Sequence, residues 1–306
     1  GPAPTLPGIL GASAPKINNA DMKSYGWEME LSWRDRIEDF NYGVRFTLAD
    51  GQRKVLKYPN ESGDIYSWYN NKLDGTIWGY TTVGIAQTQE EMDAHLANNK
   101  PNWGSNWGAG DIMYADLNGD GEVTSGSKTL NDHGDLKVIG NSYARYNFGF
   151  TVDGSWRGLD FSIFLQGTMK RDYWLDGPYF WGASGDEWQS ACFTEHLDYW
   201  TPEHTNAYYP KPYFGNIKKN QEVQSGYLQN AAYLRVKNVQ VGYTLPKSWT
   251  KKAAMESVRF YVSGDNLLTW TGISSIFDPE TLGGDWGPGK LYPLQRTLSV
   301  GVNVNF

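Results

Sequence analysis

The sequence TLSVGVNVNF, from Thr297 to Phe306, ends the chain and alternates apolar and polar residues throughout. A period of two places successive side chains on opposite faces of a β-strand. One face of this stretch holds only Leu, Val and Phe, and the other holds Thr, Ser, Gly and Asn. The stretch therefore predicts a strand whose two faces meet different environments, one apolar and the other polar but uncharged.

Six further stretches upstream alternate in the same way, so we predict an all-β fold with about seven strands. These stretches are Gly26–Arg34, Phe40–Ala49, Tyr143–Asp153, Leu159–Gly167, Tyr233–Leu245 and Val258–Gly264. A phase slip within Tyr233–Leu245 predicts a β-bulge. Helical periodicity is scarce, and the best candidates are Gln89–Asn98, Asp186–Trp200 and Pro246–Met255.

The connections between the predicted strands alternate between short or moderate and long. The long ones cover about residues 50–142, 168–230 and 267–293. In an antiparallel sheet of consecutive strands, all three would lie at one end, and the short turns at the other. This asymmetry is typical of outer-membrane barrels. We therefore expect a transmembrane antiparallel β-barrel segment with long extracellular loops.

Aromatic residues gather at the short-turn end of the predicted strands. They are Trp33, Phe40, Trp156, Trp249 and Phe306. Amphipathic rings favour the interface between lipid and water, so a girdle here supports the membrane interpretation. The alternative is a soluble β-sandwich that binds carbohydrate or degrades polysaccharide, with these rings at the edge of its core.

Composition excludes several other classes. The 306 residues carry 27 Lys and Arg against 34 Asp and Glu, a net charge of −7, which argues against a nucleic-acid partner. An aromatic content of 15% argues against disorder. The single cysteine, Cys192, excludes an internal disulfide and a multi-cysteine zinc site. No apolar run is long enough for a transmembrane helix.

Several longer phrases together resemble the C-terminal part of the barrel of SusC/RagA-family TonB-dependent outer-membrane transporters of Bacteroidetes. The phrases are LGASAPKINNAD (10–21), KSYGW (23–27), DIMYADLNGDGEV (111–123), IGNSYARYNF (139–148), WRGLDFSIFLQG (156–167), YLRVKNVQVGYTLP (233–246) and VRFYVSGDNLL (258–268). The terminal Phe306 resembles the signal by which outer-membrane proteins are recognised for insertion.

The resemblance implies a function and a set of partners. It implies a bacterial outer-membrane location in contact with lipid, a barrel of 22 strands, and import of oligosaccharides or peptides with a SusD-like surface lipoprotein. It also implies energy supplied by the TonB complex through an N-terminal plug domain. This sequence contains no plug and only about seven strands, so we expect a fragment whose edges pair with the remainder of the barrel. A passive porin-like barrel is a further alternative.

The stretch DLNGDGEV (116–123) has the spacing of a calcium loop. Asp116, Asn118 and Asp120 stand at positions 1, 3 and 5, and Glu122 would supply a backbone carbonyl at position 7. Position 12 is a serine, so this is not an EF-hand, and Asp132 or Asp135 would have to complete the shell. The alternative is a turn rich in Asp, Asn and Gly that holds no metal. We expect no organic cofactor.

The long loops hold many tryptophans, whose rings suit contact with sugars or peptide side chains. The candidates for substrate contact are Trp103, Trp107, Trp181, Trp188 and Trp286. The alternative is that these rings form the loops' own small cores. No catalytic pattern is visible, and the carboxylates near Asp186–Trp200 fit a solvated helix face, so we expect a protein that is not an enzyme.

Overall fold

The computed structural model describes residues 9, 11, 15, 17–182, 192–213, 215, 218–283 and 287–306. Seven long strands form one sheet in which each strand pairs antiparallel with the next along the chain. They are β1 (Asp21–Ile37), β2 (Phe40–Lys57), β3 (Arg145–Trp156), β4 (Leu159–Lys170), β5 (Gln229–Thr244), β6 (Ser257–Gly272) and β7 (Thr297–Asn305). The sheet is open, with β1 and β7 at its edges.

The remaining elements are short and lie mostly in the long connections. The helices are Gln89–Leu96, Pro178–Trp181, Lys218–Gln221 and Lys247–Thr250, with 3-10 turns at Thr194–Leu197, Ser225–Tyr227 and Lys251–Ala253. The short strands are Thr76–Gly79, Thr82–Ile85, Lys100–Pro101, Ile112–Tyr114, Glu122–Val123, Lys137–Asn141 and Asp172–Tyr173. Among the described residues, none of the helices has the length and apolar character needed to cross a membrane.

The seven predicted strands are all present, but β1, β2 and β6 extend clearly further than predicted; β6 continues to Gly272, so the third long connection begins after that residue. β1 and β2 continue as a two-stranded ribbon, in which Tyr25 is opposite Gln52 and Asp21 is opposite Lys57. β3 reaches only as far as the pair of Ala49 with Asn147. The extension runs through Gly51–Lys57, which has no apolar alternation, so the pairing there rests mainly on the backbone ladder, with a hydrogen bond from the Tyr25 hydroxyl to Gln52 Oε1 at 2.8 Å. The first long loop therefore begins after Lys57 rather than near residue 50.

The phase slip predicted in β5 is a β-bulge. The register of β5 shifts between Val236 and Asn238 against β6, and at Phe164 and Leu165 of β4 on its other side. The extra residue, Lys237, restores the alternation so that apolar side chains stay on one face along the whole strand.

Two of the predicted helices are confirmed at least in part, and one is not. Gln89–Leu96 forms with Thr88 as its N-cap, and Pro246–Met255 holds only single turns. Of Asp186–Trp200, residues 192–200 contain just a 3-10 turn, and 186–191 lie outside the described residues. The helix prediction is wrong for 192–200 because the backbone pairs with a neighbouring segment: Trp200 N donates to Tyr209 O at 2.9 Å.

Apart from Ala231 of β5, the described members of the main hydrophobic core lie in the long connections and not on the long strands of the sheet. One cluster joins buried residues from all three of them, and we call it the loop core. It consists of Ile65, Tyr80, Ile112, Tyr114, Val123, Leu136, Leu175, Phe180, Trp181, Tyr209, Tyr227, Ala231, Ile273, Phe277 and Leu282. The three connections therefore fold together at one end of the sheet, which we call the loop end.

The apolar faces of the strands, in contrast, are exposed. Val300 is 84% exposed, Leu298 74% and Trp33 63%. These residues pair with apolar partners on the next strand, as Val300 does with Val262 and Trp33 with Val44. A continuous apolar surface of this extent is unusual for a protein in water.

Candidate functional site

The polar face of the sheet is lined by ion pairs that cross between strands. Arg259 of β6 reaches over Gly242 of β5 to Asp160 of β4, with Nε 2.9 Å from Oδ2. A side chain at Gly242 would collide with that guanidinium. Arg34 and Asp153 are 3.5 Å apart on β1 and β3. Charges and glycines thus occupy the face opposite the exposed apolar one, as on the lumen side of a barrel wall.

The third long connection is held against this polar face by a buried arginine. Arg235 of β5 is 3% exposed and contacts Asp278 at 2.8 Å and Glu280 at 2.7 Å. Lys237, the residue of the bulge, contacts Glu280 at 2.9 Å. Bidentate and paired contacts of this kind fix geometry as well as charge. The clamp places residues 278–280 on the polar side of the wall.

The first and second long connections are joined by a second buried pair. Lys219 Nζ lies 2.7 Å from Asp111 Oδ2, and both side chains are almost completely buried. Asn220 Nδ2 donates to the other carboxylate oxygen at 3.0 Å. The residues stand more than 100 positions apart, so sequence pattern gave no signal for this pair.

Tyr114 extends the same network inside the loop core. Its hydroxyl donates to Lys219 O at 3.2 Å and accepts from Gln224 Nε2 at 3.0 Å. Burial raises the pKa of this hydroxyl well above its ordinary value, so Tyr114 stays neutral. The polar groups of this network bind one another through hydrogen bonds and an ion pair, which identifies the network as structural.

Three of the five candidate tryptophans are described, and all three pack in or against the loop core. The ring of Trp103 lies 4.6 Å from that of Tyr80 and 5.2 Å from that of Tyr114, between centroids. Trp107 packs edge-on to Tyr114 at 6.2 Å. Trp181 is only 7% exposed. These positions favour the packing role over broad substrate contact, while Trp188 and Trp286 lie outside the described residues.

A cavity of about 240 Å³ opens beside Trp181 in the second long connection. Its described walls are mainly aromatic and proline residues, among them Tyr209, Pro210 and Tyr213, with Leu197 also lining it. Leu197 is 71% exposed. Of the three described candidates for substrate contact, Trp181 lines this cavity and Trp103 and Trp107 do not. The other wall residues carried no motif that could have marked them.

The loop at Asp116 consists of successive turns held together by hydrogen bonds from backbone N–H groups to side-chain oxygens of the same loop. Its carboxylate accepts from Gly119 N at 2.6 Å and from Gly121 N at 2.7 Å, and Asn118 Oδ1 accepts from Asp120 N at 2.9 Å. The contacts to backbone N–H groups lower the pKa of Asp116, with the bond from Gly121 as the largest cause. Glu122 likewise donates its backbone N–H to Asp120.

The two downstream carboxylates considered as further calcium ligands lie in different places. Asp135 is buried, and its Oδ1 accepts from Leu117 N at 2.7 Å, beside the loop. Asp132 instead binds the hydroxyl of Ser127 at 2.5 Å and belongs to another turn. No group of three or more His, Cys, Asp or Glu side chains in the described ranges is arranged to hold a metal. Calcium binding stays a prediction.

The open sheet, its exposed apolar face and its charged opposite face define a segment of a transmembrane antiparallel β-barrel, as predicted. Solved structures of the RagAB peptide transporter share this fold, with a TM-score of 0.68 and 21% identity over 98% of this chain and 31% of theirs. The 'closed-closed' state of the RagAB peptide importer gives a TM-score of 0.67 at 19% identity, again over 98% of this chain.

In sequence, the chain is similar over nearly its whole length to TonB-dependent receptors. It is 26% identical over 331 residues to TonB-dependent receptor P3 of Formosa agariphila, an alignment that covers 98% of this chain and 30% of that protein. It is 22% identical over 304 residues to TonB-dependent receptor SusC of Bacteroides thetaiotaomicron, covering 94% of this chain and 27% of SusC. No protein-family model matches the chain.

These findings confirm the resemblance drawn from the sequence. The chain spans about 30% of the length of the curated relatives it matches.

Proposed function

We propose that the chain forms part of the barrel wall of a TonB-dependent transporter in the bacterial outer membrane. The observation that carries the proposal is the inversion of burial: strand side chains such as Val300 are exposed, whereas the buried core lies in the loops. Lipid would cover the exposed apolar face, because exposing so much apolar surface to water is unfavourable. A soluble β-sandwich needs a second large sheet over that face, and the described residues form none.

The transporter would import oligosaccharides or peptides together with a SusD-like surface lipoprotein. Support comes from the relatives: one is named SusC, and the similar solved structures are of a peptide transporter. The lipoprotein would rest on the loop end, and the TonB complex would act through a plug domain inside the barrel. The remainder of the barrel would pair with the edges β1 and β7, because unpaired backbone groups are costly in hydrocarbon.

The chain would contribute transport and not catalysis. Its relatives are named receptors and transporters. The buried charged groups described above form ion pairs with one another. A passive porin-like barrel is the second candidate, and it differs from a transporter in needing no energy.

Uptake in the bacterium that carries the gene tests this function. Deleting the gene should abolish uptake of a labelled oligosaccharide or peptide pool, and removing TonB should do the same while leaving the protein in the outer membrane. Restoring the gene on a plasmid is the control. Uptake that survives the deletion would refute the function, and uptake that needs the gene but not TonB would favour the passive barrel.

A further inference from the structure

The cavity beside Trp181 is lined mainly by rings and apolar side chains, with a few polar ones among them. Trp181 and Tyr209 are buried, at 7% and 6% exposure, and form its inner wall. Its volume of about 240 Å³ suits one amino-acid side chain with part of its backbone, or one sugar ring. Shape alone therefore does not choose between these two occupants.

Two buried polar side chains of the wall, His196 and Asn220, already make hydrogen bonds within the protein. His196 Nδ1 accepts from Phe193 N at 2.9 Å, so the ring proton sits on Nε2, which lies 3.0 Å from Phe180 O. The side-chain oxygen of Asn220 accepts from Ile112 N at 2.9 Å. A buried sugar hydroxyl needs a hydrogen-bond partner. Both ring nitrogens of His196 are already used, and Asn220 has one amide hydrogen and one lone pair engaged, so these two buried side chains offer little to a sugar. An apolar side chain needs none.

One positive charge at the cavity is not neutralised by a described carboxylate. Lys211 lines the cavity, is exposed, and lies with its ammonium 5.6 Å from the centre of the Tyr213 ring. Among the described residues, it forms no salt bridge. Lys219 nearby differs, because Asp111 neutralises it. An anionic group on the ligand would complement Lys211.

We propose that this cavity binds the apolar C-terminal residue of a peptide, with its side chain among the rings and its carboxylate near Lys211. The proposal rests on the proposed import function and names a ligand for it. The apolar wall selects the side chain, and the ammonium selects the free carboxylate over an amide.

Binding of N-acetyl-4-fluorophenylalanine to the detergent-purified full-length transporter, followed by fluorine NMR, tests the assignment. We expect the fluorine signal to broaden on binding, and N-acetylleucine to displace the probe. The corresponding amide should bind about three- to fivefold more weakly, the loss of one exposed charge contact. Lys211→Gln should bring acid and amide to equal affinity.

Leu197→Asp tests the location, because it places a carboxylate at the exposed wall of the cavity without touching the loop core. It should weaken binding of the probe by about tenfold through repulsion and lost apolar contact. Leu130→Asp is the matched control: Leu130 is also exposed, at 41%, and does not line the cavity, so binding should be unchanged.

An unbroadened signal with the parent protein, equal binding by the Leu197→Asp variant, or displacement by methyl glucoside instead of N-acetylleucine would overturn the assignment. TonB-dependent uptake measured in the same strain separates the two claims. If uptake persists while the probe does not bind, the cavity assignment alone is wrong. If the probe binds and uptake is independent of TonB, the transport function is wrong and the cavity assignment stands.

Discussion

The Lys219–Asp111 pair is a buried ion pair that joins two of the long connections. Removing one partner of a buried ion pair leaves an uncompensated charge and costs about 3–5 kcal/mol. We therefore expect Lys219→Met to destabilise the packed loops by about that amount. Urea-dependent proteolysis of the loops in the detergent-solubilised transporter measures the effect.

Two further variants sharpen this prediction. The double variant Lys219→Met with Asp111→Leu should recover much of the loss, because no charge is then left buried. Arg157→Met breaks an exposed pair with Asp39 and should cost less than about 1 kcal/mol. A single Lys219 variant as resistant as the parent would show that the pair does not hold the loops together.

Asp116 should make its turn sensitive to acid. Backbone N–H groups lower its folded pKa below the ordinary value of 3.8, so its contribution to stability is fully present above that value. The contribution is lost as the pH falls below 3.8 and through the folded pKa. Hydrogen-exchange protection at Gly121, corrected for the intrinsic rate at each pH, should follow this loss.

Asp116→Asn is the control for that titration. The amide cannot ionise, so the protection at Gly121 should be lower than in the parent and no longer change across this range. A parent turn whose protection is constant from neutral pH to well below 3.8 would show that the carboxylate does not stabilise it.

Single residues show where reasoning from sequence ends. The sequence left open whether the tryptophans of the long loops contact substrate or pack in the loops, because their neighbours could not be known from it. Trp103 contacts Tyr80 and Tyr114, and Trp181 contacts Tyr227 at 4.8 Å between ring centres. These partners come from different parts of the chain, so no local pattern distinguishes a packed ring from an exposed one.

At the level of single elements, the strands were predictable because their alternation repeats over many residues. β7 and the bulge of β5 appear where the period of two, and its slip, placed them. Strand ends were less predictable, as the β1–β2 ribbon shows, because backbone pairing does not require alternation. The helix predicted for Asp186–Trp200 is absent from its described part, residues 192–200, because long-range backbone pairing overrides weak helical periodicity.

β7 offers a matched pair of positions for testing the apolar face. An arginine on the lipid side of a barrel costs about 2–4 kcal/mol at the middle of the bilayer. Val300→Arg should therefore impair assembly in the outer membrane, whereas Ser299→Arg, on the polar face of the same strand, should be milder. Heat-modifiable migration of the protein in gels measures assembly.

A second pair on β3 checks that the effect follows the face and not the strand. Phe148→Arg should behave like Val300→Arg, and Asn147→Arg like Ser299→Arg. Equal tolerance on both faces of both strands would contradict the assignment of the exposed face to lipid.

For the loop at Asp116, we propose bound calcium through oxygens of Asp116, Asn118 and Asp120. Calcium ligands lie at about 2.3–2.6 Å, so binding must draw these side chains away from some of their backbone partners. Millimolar calcium should raise the resistance of the loop to proteolysis, and Asp120→Asn should weaken the effect.

Asp132→Asn serves as the control in that experiment, because Asp132 binds the turn at Ser127 and should matter less. A structure determined in millimolar calcium with these hydrogen bonds unchanged and no ion present would contradict the proposal and leave a metal-free turn.

For the chain as a whole, the sequence predicted the sheet but not the folding of its three long connections into one core. The strands pair with neighbours in sequence, so their order follows from the turns. The loop core instead depends on contacts such as Lys219 with Asp111, and Arg235 with Asp278, each between distant segments. Only the structure shows that the loop end is a single packed unit carrying a cavity.

The most direct measurement is the solution state of the 306-residue chain produced alone, by light scattering and circular dichroism with and without detergent. Seven strands leave two open edges that can pair with other chains, and an apolar face whose exposure to water is unfavourable. We expect β-structure to form only in detergent or in assembly with more of the barrel, and aggregation otherwise. A stable monomer in detergent-free buffer with its full β-structure would contradict a barrel wall in lipid and support a soluble β-protein.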